Sequence, residues 1–155
     1  MKNIWAPWRV DYILKSEDTG CIFCNAPKID DPLILKRGDS CFSIMNRYPY
    51  TTGHCIIAPY RHIGDMEKLN KDESIEMLSM IKELVSAIKT TMKPQGFNVG
   101  CNIGSVAGAG VKQHIHIHIV PRWEGDTNFM PVLADVHMIS EHIRETRDKI
   151  KGALS

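Results

Sequence analysis

The spacing of apolar and polar positions changes period several times along the chain, and each change marks an element. Ser40–Met45 and His54–Ala58 read as two strands, and Asn46-Arg47-Tyr48-Pro49-Tyr50-Thr51-Thr52-Gly53, with its proline and glycine, reads as the loop of an antiparallel hairpin. From Asn70 or Asp72, either of which can cap a helix, Ile75, Leu78, Ile81, Val85, Ile88 and Met92 recur at helical spacing. Met77, Met80, Leu84 and Ala87 fall outside that stripe and form a second apolar surface on the same helix. After the Pro94-Gln95-Gly96 turn, Phe97–Ile103 and Gln113–Val120 are predicted strands, and an amphipathic helix over about 138–151 carries Ile139, Ile143 and Ile150. The expected class is α+β, an antiparallel sheet with one long helix and a C-terminal helix. No repeat or linker-like stretch divides the chain, so residues 1–155 are expected to form a single domain, with Trp5, Trp8, Arg9 and Tyr12 laid over the fold or a partner.

Within the last predicted strand the alternation is chemical. In Gln113-His114-Ile115-His116-Ile117-His118-Ile119-Val120 the three histidines project to one face and the isoleucines to the other. Three imidazoles on one face are poor core material, because each brings a donor and an acceptor that must be satisfied when buried. They point to a site. The loop before them, Asn102-Ile103-Gly104-Ser105-Val106-Ala107-Gly108-Ala109-Gly110, is built of small residues whose glycines let backbone N–H groups approach an anion such as phosphate. Pro121-Arg122-Trp123 closes the strand with a cation and a large flat ring.

A net charge of +1 argues against a broad nucleic-acid-binding surface and for a small partner. No apolar run approaches a membrane span, and Met1-Lys2-Asn3-Ile4-Trp5 lacks the hydrophobic region of a signal peptide, so a cytoplasmic location is expected, without membrane or nucleic-acid partners. Five cysteines with one close pair do not form a disulfide framework. Cys21-Ile22-Phe23-Cys24 has the spacing with which two thiolates grip one metal ion, and with no second such pair the remaining ligands of a four-coordinate zinc must be histidines, His62 and one of the row being available. A redox pair would call for a thioredoxin-like βαβ unit, which the pattern lacks, and two plain reduced cysteines are the third reading. Cys41, Cys55 and Cys101, in predicted strands, read as small buried hydrophobes.

His114-Ile115-His116-Ile117-His118-Ile119-Val120 resembles the signature of the histidine triad family of nucleotide hydrolases and transferases, and the likeness extends to Asn46, Gly53-His54, the Asn102–Gly110 loop and Pro121-Arg122. Trp5-Ala6-Pro7-Trp8-Arg9, the Cys21/Cys24 pair and the stretch Trp123–Met130 resemble the branch containing diadenosine tetraphosphate phosphorylases. The resemblance implies that His116 attacks the α-phosphorus and becomes nucleotidylated, with His118 donating to phosphate oxygens. It also implies that His114 joins Cys21, Cys24 and His62 on a structural zinc, with no catalytic divalent ion required. Asn46 would meet the ribose, Asn102 the phosphates, and His54, Gly108, Gly110, Arg122 and Trp123 complete the expected substrate-binding set. A homodimer is also implied, and the surface of Met77, Met80, Leu84 and Ala87 is the expected contact.

Two departures bear on the second half of the reaction. Many members carry a Gln followed by Ser or Thr in the small-residue loop; here Ala109-Gly110 stands there and Val111-Lys112-Gln113 adds a residue before His114. Selecting inorganic phosphate over water would then fall to backbone N–H groups, Lys112 or Arg122. A nucleotide sensor without turnover is opposed by the intact triad. A uridylyltransferase-like enzyme is opposed by the isoleucines between the histidines, where that branch carries a proline.

Overall fold

In the computed structural model, which describes residues 20–126 and 139–154, alternating apolar segments pair into one antiparallel sheet. Its strands are β1 (Ile34–Arg37), β2 (Cys41–Met45), β3 (Cys55–Pro59), β4 (Gly96–Gly100) and β5 (Ile117–Arg122), in the spatial order β1-β2-β3-β5-β4. The helices are α1 (Ile22–Asn25), α2 (Lys71–Met92) and α3 (Ile143–Gly152). Ile44 pairs with Ile56, Ile56 with His118 and His118 with Gly100, so these residues share one face of the sheet. Met45, Cys55 and Ile119 share the other, on which α2 lies, with Cys41 Sγ 3.7 Å from the Glu73 carbonyl. The core fills that second interface with Ile57, Leu84, Ile88, Ile119 and Ile150 among its buried members, each contributing roughly 1.5–3 kcal/mol, while Phe42 is buried on the first face.

Cys41 and Cys55 are buried as expected, whereas Cys101 lies beyond β4 and is half-buried. The short β1 and α1 carry too few residues to show a period, and neither was expected. β5 begins at Ile117 rather than Gln113 and runs through Pro121, where β3 has already ended and a missing N–H faces no partner on that side. β4 stops at Gly100, so Cys101–Ile103 are loop. α3 starts at Ile143 with His142 as its cap, so Ile139–His142 of the expected helix are not helical, while Met138 and the N-terminal tryptophan segment lie outside the described residues. Among the described residues no helix is long and apolar enough to cross a membrane.

The rotation of α2 departs most from expectation. The face on the sheet is Glu73, Met77, Met80, Leu84, Ala87 and Ile88, whereas Ile75 and Leu78 are 57 % and 60 % exposed. The supposed second surface is the core, and part of the supposed core stripe is the free surface. Both stripes have helical spacing, and two carboxylates choose between them. Glu76 accepts the amides of Asp39, Ser40 and Cys41 at 2.6–2.8 Å, and buried Glu73 accepts Arg61 at 2.5 and 2.6 Å. Turning the helix would strand both charges.

Asn70 and Glu73 also form a reciprocal cap, Glu73 N–H to Asn70 Oδ1 at 2.8 Å and Asn70 N–H to Glu73 Oε2 at 2.9 Å. Asn70→Ala should therefore cost about 1 kcal/mol, read as a lower urea midpoint at unchanged slope.

Candidate active site

What each histidine can do follows from the fixed donors and acceptors around it. His114 is 0 % exposed, and its Nε2–H donates to the Pro59 carbonyl at 2.8 Å, which leaves Nδ1 with a lone pair. The His114 carbonyl in turn accepts from His116 Nδ1 at 2.8 Å, so His116, 6 % exposed, keeps its lone pair on Nε2. Phe23 of α1 covers both rings, 5.3 Å from His114 and 4.6 Å from His116 between centroids. Burial pushes both histidines below the ordinary imidazole range, against the opposing pull of their carbonyl partners.

His118 is set by a relay from the hairpin loop. The Tyr50 amide can only donate, so His54 Nδ1 accepts at 3.1 Å and His54 Nε2–H donates to His118 Nδ1 at 2.9 Å. His118 is left with Nε2–H. Burial, then the neighbouring imidazoles, push His54 down to about 3 and His118 to about 4. At neutral pH the row thus offers a nucleophilic lone pair on His116 and a hydrogen-bond donor on His118, their rings 4.9 Å apart.

On the other flank, Cys21, Cys24, His62 and His114 bring one donor atom each to within 4.8 Å of one another. Cys21 Sγ and Cys24 Sγ lie 3.3 and 3.5 Å from His114 Nδ1, and Cys24 Sγ lies 3.3 Å from His62 Nδ1. Ligand bonds of about 2.0–2.3 Å in a tetrahedron separate the ligands by about 3.3–3.8 Å, so this S₂N₂ set fits a tetrahedral ion. The Pro59 carbonyl supplies the outer partner that turns the His114 lone pair toward the sulfurs. Local structure delivers the ligands: α1 coils on Cys21, whose carbonyl accepts the amides of Cys24 and Asn25. Arg61, the residue before His62, is anchored by Glu73. Gly64 is needed for a close approach, since a Cβ there would sit 2.7 Å from the Lys112 carbonyl, beside the 2.6 Å bond from Ile115 N–H to the Ile63 carbonyl.

The HIT-domain family model matches residues 27–125. A protein of Mycobacterium tuberculosis named AP-4-A phosphorylase is 33 % identical over 95 % of this chain and 81 % of its own. Among solved structures, a hypothetical histidine triad nucleotide-binding protein of Sulfolobus tokodaii superposes with a TM-score of 0.72 at 25 % identity, covering 86 % of this chain and 91 % of that one. A zinc-bound histidine triad family protein of Mycobacterium smegmatis gives 0.71 at 23 % identity, covering 87 % and 93 %. The chain belongs to the HIT family. Membership places it among nucleotide hydrolases and transferases.

In this HIT chain the expected residues fall into three groups. His116 and His118 stand together, and Cys21, Cys24, His62 and His114 converge beside them. Asn46 stands beside His54, and Asn102, Gly108 and Gly110 lie in the loop between β4 and β5. Asn46 Nδ2 meets His54 Nδ1 at 3.2 Å, and Asn102 Nδ2 donates to the Gly108 carbonyl at 3.3 Å, closing a turn that Gly108 makes at φ +85°. His54, Arg122 and Trp123, expected on the substrate, make their hydrogen bonds within the protein. His54 is fully buried behind His118, with both ring nitrogens engaged. Arg122 lies about 13 Å along β5 from His118 and spends its guanidinium on Asp126, at 2.6 and 2.9 Å, and on Asn98 at 2.9 Å. The Trp123 indole donates to the Met92 carbonyl at 3.3 Å, and the ring walls a separate cleft of about 610 Å³ with Thr51, Thr91 and Lys149. Phe23, Pro59 and Gly64 were not visible as functional residues, because each acts through a contact with chain remote in sequence.

The relay has a measurable acid limb. An unfolded histidine takes up its proton near pH 6.5, whereas folded His54 and His118 do so only near 3 and 4, so lowering the pH below about 6.5 favours the unfolded chain. Melting temperature should fall between about pH 6.5 and pH 4, less steeply in His54→Gln; equal slopes would contradict the relay.

Proposed function

We propose that the chain cleaves dinucleoside polyphosphates, diadenosine tetraphosphate among them, through a nucleotidyl-His116 intermediate that inorganic phosphate then resolves. The observation that carries this is the lone pair on His116 Nε2 beside the N–H on His118 Nε2. His116 Nε2 attacks the α-phosphorus, forming an N–P bond as the P–O bond to the leaving nucleotide breaks. The His118 N–H stabilises charge gathering on the phosphate oxygens. In the second step a phosphate oxygen attacks the same phosphorus and the electron pair of the N–P bond returns to His116. The likeness to the AP-4-A phosphorylase over nearly the whole chain supports the substrate class.

The acceptor must be held without the hydroxyl that Gly110 lacks. Among the described residues the amides of Gly110, Val111 and Lys112 donate to no protein acceptor, and exposed Lys112 adds a cation at the entry to the row. With Arg122 committed to Asp126, these groups carry the phosphate. Asn46 and Asn102 serve the ribose and phosphate sides.

The Cys21, Cys24, His62 and His114 set holds a structural zinc, which contributes folding energy and takes no part in the transfer. Residues 1–155 act as one HIT domain in the cytoplasm, where free cysteines stay reduced. The active form is a homodimer, for which the outer edge of β4 and the exposed Ile75 and Leu78 of α2 offer the contact.

Three measurements test this. His116→Asn should lower turnover by several orders of magnitude while nucleotide still binds. Diadenosine tetraphosphate with phosphate should give ATP plus ADP; AMP in place of ADP at every phosphate concentration would make the chain a hydrolase. Metal analysis should find about one zinc per chain, and chelation should lower the melting temperature; zinc-free protein of full stability would remove the site.

A further inference from the structure

Among the described residues two aromatic rings flank the catalytic pair, and they differ in what they leave open. Phe23, 3 % exposed, closes the His116 side. Tyr50, on the hairpin loop, stands against His118 with its ring 5.8 Å away and only 24° from parallel, and 4.5 Å from His54, yet it is 54 % exposed. One side of the phenol ring is held by two histidines and the other faces solvent. Its backbone is pinned as well, by the bond from Tyr50 N–H to His54. An aromatic surface already fixed on both counts costs little further entropy when a flat ligand stacks on it.

We propose that Tyr50 is a specificity-determining residue whose open face stacks with the base of the leaving nucleotide. The proposal rests on the dinucleoside polyphosphate reading. That substrate has two nucleosides, and in-line displacement puts the departing one on the side of phosphorus opposite His116 Nε2. The enclosed, Phe23-covered side cannot release a product after the first step, whereas the open side of the row can. Among the described residues Tyr50 is the exposed ring on that open side. Ring-to-ring steps of 4.9 Å from His116 to His118 and 5.8 Å from His118 to Tyr50 span a distance that a short polyphosphate and a ribose cover. Stacking tolerates any base, so the site selects for the presence of a second nucleoside rather than for its identity.

Calorimetric titration of His116→Asn protein with diadenosine tetraphosphate and with ATP separates the outcomes. Binding of the two-ended ligand should be tighter by about tenfold or more, the scale of one base stacked on one ring. Tyr50→Leu, which keeps apolar bulk over His54, should remove that advantage and leave the ATP affinity unchanged, and Tyr50→Phe should retain it. No advantage in the parent, an advantage that survives Tyr50→Leu, or equal loss of both ligands would overturn the proposal. Turnover by the unmodified chain is read separately. If diadenosine tetraphosphate is not cleaved while the Tyr50-dependent advantage persists, the activity reading fails and the stacking site stands.

Discussion

His114 is committed in three directions at once, and the rest of the site depends on it. Its Nε2–H is spent on the Pro59 carbonyl at the end of β3, its Nδ1 faces Cys21, Cys24 and His62, and its own carbonyl fixes the proton of His116. One fully buried residue therefore joins the sheet, the Cys/His cluster and the proposed nucleophile. Were any of the three partners lost, a polar group with no access to water would be left unsatisfied, at a cost of roughly 1–3 kcal/mol.

Burial makes the row reactive as well as expensive. An exposed imidazole shares its lone pair with water and is partly protonated near neutral pH; under Phe23 the His116 ring is held neutral, and a carbonyl decides which nitrogen keeps the proton. His118 reaches the complementary state through Tyr50 and His54, a chain of three fixed directions that begins at a backbone amide, the one member that can only donate. Nucleophile and donor are thus distinguished by their hydrogen-bond partners, although both are histidines of one strand segment.

Support for this arrangement comes from the far side of the sheet. Glu73 caps α2 through Asn70 and holds Arg61, so the helix cap and the residue before His62 of the Cys/His cluster share one carboxylate. The two cysteines precede the stretch matched by the HIT domain, residues 27–125, whereas His62 and His114 lie within it. The cluster therefore ties α1 to the common fold, and α1 brings Phe23 onto the His116 ring.

The sequence by itself determined the alternation of His114, His116 and His118, the hairpin, the long helix with its Asn70 cap, and the Cys21/Cys24 pair, because each is written in neighbouring residues at a period of 2 or 3.6 or at a fixed short spacing. The histidine row also sufficed for the family. Which face of α2 meets the sheet was decided only by the tertiary structure, because two stripes of equal period compete and the arbiters, Arg61 and the β1–β2 turn, are distant in sequence. The hydrogen-bond partners of His54, Arg122 and Trp123 were decided the same way. A side chain's chemistry is set by the partner that takes its hydrogen bonds, and those partners, His118 for His54, Asp126 and Asn98 for Arg122, Met92 for Trp123, are chosen by the packing of the whole chain.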